Sequence, residues 1–144
     1  MAEKPLLEEE KREEKKYLHK IILQMIKFQS LNKNIYFQQI LKKENLSNNY
    51  FTIYFAKNFI EKNKRKNNLN VSFVVKKKIG NAVKRNKIKR KLKAAVQKIL
   101  EKKTDVNLNY TYIIFGKKKI YSDKFHFLLK EMDTTFKKIK RLAN

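Results

Sequence analysis

Residues 76–93 read KKKIGNAVKRNKIKRKLK and contain ten Lys or Arg residues among eighteen, with no acidic residue. A Gly80-Asn81 pair interrupts the cluster, and apolar residues recur within it at Val83, Ile88 and Leu92. These features indicate a folded basic helix that follows a sharp turn, rather than a disordered cationic tail. A folded basic surface of this density is typical of proteins that bind nucleic acid.

The composition of the chain supports this interpretation. Its 144 residues suffice for one ordinary domain, and its formal net charge of +24 favours a partner that carries phosphates. There is no Cys, which excludes disulfides and Cys-based zinc sites. No apolar run reaches membrane-spanning length, so we expect no membrane partner and a cytoplasmic protein. A bacterial host fits the composition. The high content of Lys and Asn fits an organellar origin equally well.

Residues 1–29 differ in charge from the rest of the chain. The first fourteen carry six acids and three bases, a net charge of −3, whereas the other 130 carry 34 bases and seven acids, a net charge of +27. Residues 6–27 follow Pro5 and predict a helix, with acids first and apolar residues at Leu18, Ile21, Ile22, Met25 and Ile26. We interpret this extension as an accessory helix packed on the domain. A helix that binds a protein partner, or an acidic arm that shields the basic face, is the alternative.

Residues 30–144 alternate between predicted helices and strands. A short helix is expected at 34–43, a turn at 45–49, strands at 50–57, 69–77 and 109–115, and a long helix at 82–102 with Asn81 as its N-cap. Ser122 is expected to cap a last helix. This order predicts an α+β fold, with a single small sheet covered by helices and an extra N-terminal helix.

The apolar periodicity of these elements predicts the core. In the first strand, Phe51, Ile53 and Phe55 share one face, and Tyr50, Thr52 and Tyr54 share the other. The buried stripe of the long helix is predicted to be Ile88, Leu92, Ala95, Val96, Ile99 and Leu100. That of the last helix is predicted to be Phe125, Leu128, Leu129, Met132, Phe136 and Ile139.

The exposed sides of the long helix carry charges of one sign. With the stripe inward, they present Lys84, Arg85, Lys87, Lys91 and Lys98, and the uncharged Asn86 among them. A helix face that is merely solvated normally mixes both signs, and here no acid occurs before Glu101. Nucleic-acid contact is therefore predicted, with the Asn86 amide able to bond a phosphate, a sugar hydroxyl or a base edge.

Residues 72–90, SFVVKKKIGNAVKRNKIKR, closely resemble the signature of the bacterial ribonuclease P protein subunit. That signature has a strand, a Lys-x-Gly-Asn-Ala-Val turn, and an Arg-Asn-Arg core followed by Lys-Arg on one helix. Residues 30–37 resemble the lead-in to the first helix of the family, and YFTIY resembles its first strand. The resemblance extends over residues 30–141 and sets residues 1–29 apart as an extension without a counterpart.

The resemblance implies a fold and a function. It implies a compact RNA-binding domain over residues 30–144, with a βαβ connection of left-handed sense. It also implies a protein that pairs with a catalytic RNA and helps to remove the 5′ leader of precursor tRNA by phosphodiester hydrolysis. The chemistry would then belong to the RNA and its bound Mg²⁺, with no catalytic residue and no metal ligand in the chain itself.

The resemblance also assigns site residues by position. Those expected to face the catalytic RNA and the nearby leader are Lys76, Lys77, Lys78, Lys84, Arg85, Asn86, Lys87, Lys89 and Arg90, with the adjacent Lys91. A cleft between the first helix and the sheet is expected to bind the leader through Phe37, Leu41 and Tyr54; plain core packing is the alternative for these three. Two positions depart from the family pattern, because Lys87 replaces an Arg and Leu41 replaces a Phe.

Two other classes of function compete with this one. An independent enzyme would need an acid–base pair, but His19 and His126 have no carboxylate partner at a suggestive spacing, and the acidic residues form no metal-nuclease motif. His126 beside the last apolar stripe is better explained as a structural residue. A ribosomal or other structural RNA-binding protein is the stronger alternative, although it has no need of the 80–83 turn followed by Arg85-Asn86.

Overall fold

The fold is built around one mixed sheet. The computed structural model describes residues 7–31, 34–58, 68–102 and 106–143, with the backbone alone for residues 19–25. The strands of this part of the chain are β1 (Lys27–Gln29), β2 (Glu44–Ser47), β3 (Phe51–Lys57), β4 (Asn68–Val74) and β5 (Tyr110–Gly116). Their spatial order is β1-β4-β5-β3-β2. β1, β4 and β5 run parallel, and β3 is antiparallel to both β5 and β2.

Helices cover this sheet. They are α1 (Glu8–Met25), α2 (Asn34–Leu41), α3 (Ala82–Glu101), α4 (Lys119–Ser122) and α5 (Phe125–Ala143). α3 connects β4 to β5, which are adjacent and parallel, and it contacts both α5 and α1. The predicted α+β class, with a single sheet covered by helices, is confirmed. The left-handed sense of the β4–α3–β5 connection stays a prediction.

One face of the sheet forms the main core with α3 and α5. β3 buries Phe51, Ile53 and Phe55 there, and Tyr112 of β5 is paired with Phe55. The Tyr112 ring meets Phe136 of α5 edge-on, at 5.2 Å between centroids. The whole predicted stripe of α3 is buried. The predicted stripe of α5 is confirmed as well, with Phe125 and Leu129 half-buried against the core and its other four members buried.

The opposite face of the sheet is only partly covered. α2 has eight residues and lies against β3 and β5, and within it Ile40 alone is buried. Thr52, Tyr54 and Phe115 are half-buried on this face. The short α2 therefore leaves a cleft open between itself and the sheet. The predicted division of residues 50–57 into two faces holds except at Tyr50, which precedes β3 and is buried in the main core.

Two edge strands differ from the sequence prediction. The turn predicted at 45–49 is wrong, because Glu44–Ser47 forms β2. The chain turns after it, where Asn48 Oδ1 accepts hydrogen bonds from Tyr50 N at 2.8 Å and Phe51 N at 3.0 Å. β1 begins at Lys27, the last residue of the predicted N-terminal helix. Both strands are short and depend on pairing with β3 and β4, which the local sequence does not reveal.

Several helix and strand ends also differ from the prediction. α2 ends two residues early, and Ile35 on it is exposed instead of joining an apolar face. The strand predicted at 69–77 ends at Val74, since Lys77–Ile79 forms a 3₁₀ turn. The predicted Ser122 cap is wrong, because α5 begins at Phe125 and Ser122 is the last residue of α4. Its Oγ donates instead to the Lys119 carbonyl, at 3.4 Å.

The N-terminal helix forms as predicted, although its apolar face is only partly visible. Leu18 is exposed, whereas Ile26 is half-buried against the main core. The side chains of Ile21, Ile22 and Met25 lie outside the described residues, as do residues 59–67 between β3 and β4. Within the described ranges, no helix has both the length and the apolar character required to cross a membrane.

Gly116 sets the distance between α3 and the sheet. A Cβ atom at this position would lie 2.8 Å from Ile88 Cγ2 and 3.0 Å from Leu92 Cδ1. Those distances are too short for carbon atoms, so any larger residue would push α3 away from β5. The strand predicted at 109–115 stops before Gly116, whereas Gly116 is the last residue of β5 and is buried under α3.

We expect Gly116→Ala to lower the free energy of unfolding by about 1–3 kcal/mol, because the added methyl overpacks the contact between α3 and β5. Urea-induced unfolding monitored by circular dichroism would measure this. Gly80→Ala is the matched control, since its Cβ would meet mainly the flexible side chain of Lys84, with the backbone extended. Equal stability of the two variants would contradict the proposed role of Gly116.

Candidate nucleic-acid interface

The turn before α3 fixes where the basic helix begins. Asn81 is its N-cap, as predicted, and accepts a hydrogen bond from Lys84 N through Oδ1 at 2.9 Å. The first turn of α3 contains no acidic residue, so nothing offsets the positive end of the helix dipole there. The beginning of α3 is therefore both rigid and strongly positive.

The predicted RNA-binding residues come together on one surface, which we call the basic ridge. It consists of Lys76, Lys77, Lys78, Lys84, Arg85, Asn86, Lys87, Lys89 and Arg90. Lys84 and Arg85 are half-buried, and the other seven are exposed. Arg85 Nε is shielded from solvent and has no hydrogen-bond partner among the described residues, so an incoming acceptor that reached it would satisfy a costly unpaired donor.

Helical periodicity divides the ridge into two flanks. Lys84 and Lys87 lie on the flank that faces α4, where both ammonium groups approach the ring of Tyr121. Asn86 and Lys89 lie on the other flank, together with Lys93, whose ammonium is 5.8 Å from the centroid of the Phe28 ring on β1. Asn86 is thus exposed among cations, as the sequence predicts.

Lys91 differs from its neighbours. Its Nζ donates hydrogen bonds to the carbonyl oxygens of Ile120 at 2.9 Å, Tyr121 at 3.3 Å and Asp123 at 3.3 Å. Three carbonyl oxygens occupy the three donors of the ammonium group. Lys91 is half-buried, and its contacts in the free protein bind α4 to α3. We leave Lys91 out of the basic ridge for this reason. Its predicted contact with RNA stays a prediction.

The open face of the sheet contains a cleft of about 570 Å³. It is lined by Phe37, Leu41, Thr52, Tyr54, Lys76, Lys78, Ile79, Phe115, Gly116 and Lys117. The structure therefore brings together all three residues that the sequence assigned to a leader cleft, and places two lysines of the basic ridge beside them. All three are half-buried, so they are neither fully packed in a core nor fully exposed.

Phe115 is the centre of the aromatic part of this cleft. Its ring centroid is 5.7 Å from that of Tyr54 and 6.3 Å from that of Phe37, both in edge-on geometry. Lys76 Nζ lies 5.9 Å from the same ring. An aromatic floor with a cationic rim suits an unpaired nucleotide, whose base can stack while its phosphate meets the lysine.

Five lining residues escape the sequence prediction: Thr52, Ile79, Phe115, Gly116 and Lys117. The pairing of β3 with β5 places Phe115 opposite Thr52 and two positions from Ile113, the partner of Tyr54. The alternation of NYTYIIF already separates Phe115 from Ile114, but only the register shows that it shares a face with Tyr54. Lys117 Nζ donates to Ser47 Oγ and Asn48 O, so it also holds the β2–β3 turn.

Comparison with known proteins identifies the family. The sequence model of the Ribonuclease P family matches residues 25–140. The Ribonuclease P protein component of Mesomycoplasma hyopneumoniae strain 7448 is 34% identical over 119 residues, which cover 81% of this chain and 97% of the relative. The chain belongs to the ribonuclease P protein component family. A second relative, the component of Carboxydothermus hydrogenoformans, is 30% identical over 118 residues, with 81% and 96% covered.

Solved structures of the same family share the fold. The RNase P protein of Staphylococcus aureus matches with a TM-score of 0.60 and 26% identity, over 77% of this chain and 94% of that one. The RNase P protein of Thermotoga maritima matches with a TM-score of 0.55 over 76% and 96%, at 22% identity. This chain is accordingly an RNA-binding subunit of ribonuclease P, an endonuclease ribonucleoprotein of tRNA processing. This family assignment replaces the ribosomal role that the sequence left as the stronger alternative.

The sequence offered His19, His126 and the acidic residues as candidates for an independent enzyme, and the structure describes only some of these residues. His126 is exposed, and its ring centroid lies 4.1 Å from that of Phe127, so it is a surface residue instead of packing into the apolar stripe. The side chain of His19, and all of Glu61 and Asp105, lie outside the described residues. Among the residues that are described, no group of three His, Cys, Asp or Glu could hold a metal ion.

Proposed function

We propose that this ribonuclease P protein component binds the catalytic RNA along the basic ridge and the 5′ leader of precursor tRNA in the cleft. The observation that carries the proposal is that Lys76 and Lys78 belong to both surfaces. A polyanion on α3 and a single strand in the cleft would then lie side by side. This arrangement suits a protein that holds a substrate next to the RNA that cuts it.

The cleft supports leader binding through the nature of its contacts. Phe37, Tyr54 and Phe115 offer ring faces and edges but few directional hydrogen-bond donors. Stacking of a base on an aromatic side chain contributes about 1–3 kcal/mol and tolerates any base. A site of this kind would accept precursor leaders of different sequence, because it recognises a single strand rather than base edges.

The basic ridge supports binding of a structured RNA. Its charges stand on an N-capped helix whose inner face is buried, so their spacing is preserved when they meet phosphates. Each phosphate neutralised releases counterions, which makes such binding strong at low salt and weak at high salt. The Asn86 amide adds a neutral hydrogen-bonding group at the centre of the ridge.

We assign the hydrolysis to the RNA subunit. Mg²⁺ held mainly by that RNA would polarise the phosphate and activate the attacking water. No cluster of ligands for such an ion occurs in the described residues of the protein. The chain would contribute by neutralising repulsion between two RNAs and by positioning the leader, with no active site of its own.

Reconstitution tests the proposal directly. The full chain, combined with a transcribed bacterial ribonuclease P RNA and a precursor tRNA, should lower the Mg²⁺ concentration needed for cleavage and strengthen precursor binding. Single-turnover cleavage measured across a Mg²⁺ series would show both effects. Cleavage no better than with the RNA alone would reject the proposal, and so would cleavage by the protein alone.

We expect Asn86→Ala to weaken binding of the ribonuclease P RNA by about tenfold, because it removes a short-range hydrogen bond to an anionic group. Lys98→Ala is the matched control, since it removes one exposed charge from the same helix at a position outside the ridge. Filter binding of labelled RNA at fixed salt would compare the two. Equally small losses would mean that Asn86 is only a surface residue.

Tyr54→Ala should weaken precursor tRNA binding by about tenfold and leave mature tRNA binding nearly unchanged, because only the precursor has a leader to stack. Equilibrium binding to the reconstituted holoenzyme would measure both affinities. Tyr54→Phe keeps the ring and should behave like the original protein. A loss equal for precursor and mature tRNA would contradict a leader site in the cleft.

A further inference from the structure

Tyr121 lies against the basic ridge but is not one of the ridge residues. It is on α4, and 39% of its surface is exposed. The Nζ atoms of Lys84 and Lys87 lie 4.7 Å and 5.0 Å from its ring centroid. Both distances fall within the range of cation–π attraction. One ring therefore contacts two lysines of the ridge at once.

The backbone that carries Tyr121 is firmly attached to the domain. Ile120 beside it is buried, and Lys91 Nζ binds three carbonyl oxygens of residues 120–123. Tyr50 Oη donates a 2.7 Å hydrogen bond to Asp123 Oδ2, which raises the pKa of Tyr50 to about 12 and keeps that donor protonated. The backbone position from which the Tyr121 ring projects is thus fixed by contacts that do not involve Lys84 or Lys87.

Lys84 and Lys87 need such a partner more than an ordinary pair of surface lysines does. They are three residues apart on one flank of α3, so their ammonium groups repel each other. No ion pair joins either of them to an acid within the described ranges. Free lysine side chains also lose rotamer entropy when they bind a phosphate. An aromatic ring on a fixed backbone offsets both costs, because its negative face attracts the ammonium groups and limits their motion before RNA arrives.

We propose that Tyr121 is a positioning residue for RNA binding, which holds Lys84 and Lys87 together as a preorganised receptor for phosphates of the ribonuclease P RNA. The inference rests on the proposed function of the ridge, and it adds a residue outside the signature helix. It also explains the contacts of Lys91, because the ammonium group of Lys91 fixes the backbone of α4, which carries the Tyr121 ring. The RNA itself contacts the two lysines, not the ring.

The first test compares Tyr121→Leu with Tyr121→Phe in the full chain. Tyr121→Leu removes the aromatic ring and should weaken binding of a transcribed bacterial ribonuclease P RNA by about fivefold, the combined effect of two exposed cation–π contacts. The slope of log K against log salt should also fall by about one, because fewer phosphates are neutralised. Tyr121→Phe keeps the ring and should restore both values. Affinity and slope unchanged in Tyr121→Leu would overturn the proposal.

A double-mutant cycle separates positioning from direct contact. In a Lys84→Met, Lys87→Met background, Tyr121→Leu should cause no further loss of RNA affinity, because the ring has no cation left to position. A second fivefold loss in that background would show that the ring binds RNA itself or stabilises the fold, and would overturn the proposal.

A measurement on the unmodified protein covers the case in which Tyr121→Leu fails to fold. Protons on the ε-methylene groups of Lys84 and Lys87 should resonate upfield of those of the other lysines, because they lie over an aromatic ring. Ordinary lysine shifts at both residues would overturn the proposal without any variant. Failure of the proposed function looks different, since the unmodified chain would then neither bind the RNA nor improve cleavage.

Discussion

The close contact between α3 and β5 at Gly116 is the constraint on which the rest of the structure depends. Because Gly116 has no side chain, Ile88 and Leu92 reach the strand directly and bring the basic helix down onto the sheet. The same glycine lines the cleft on the other side. One residue therefore holds the basic ridge and the aromatic cleft at a fixed separation, on which any joint contact with RNA and leader would depend.

The sequence predicts the features that are determined locally. The stripe of α3 follows from helical periodicity. The Asn81 cap follows from the strong preference of Asn for the N-cap position of a helix. The sequence does not predict the features that depend on pairing. β2 contains a single apolar residue and forms because β3 lies beside it. Phe115 joins the cleft only because the register of β3 and β5 places it opposite Thr52. Periodicity already separates Tyr54 from the core face of its strand, but the assignment of Phe37 and Tyr54 to a leader cleft came only from the resemblance to known proteins.

Identical side chains on α3 have different surroundings, which a count of charges cannot show. Lys91 binds three carbonyl oxygens, Lys84 and Lys87 approach one tyrosine ring, and Lys89 is exposed. All four read alike in the sequence. Their division arises from α4, a helix of four residues whose position depends on the buried Ile120 and on the hydrogen bond between Tyr50 and Asp123. The position of α4 thus determines which lysines of α3 are held by contacts within the protein and which are exposed.

The position of Lys76 and Lys78 has a thermodynamic consequence. Because both lysines border the cleft and belong to the ridge, a ligand on either surface changes the electrostatic free energy of a ligand on the other. Linkage then demands reciprocity: whatever factor an assembled ribozyme applies to the affinity for a leader, the leader applies to the affinity for the ribozyme. Substrate would in that case help to decide how tightly the two subunits bind each other.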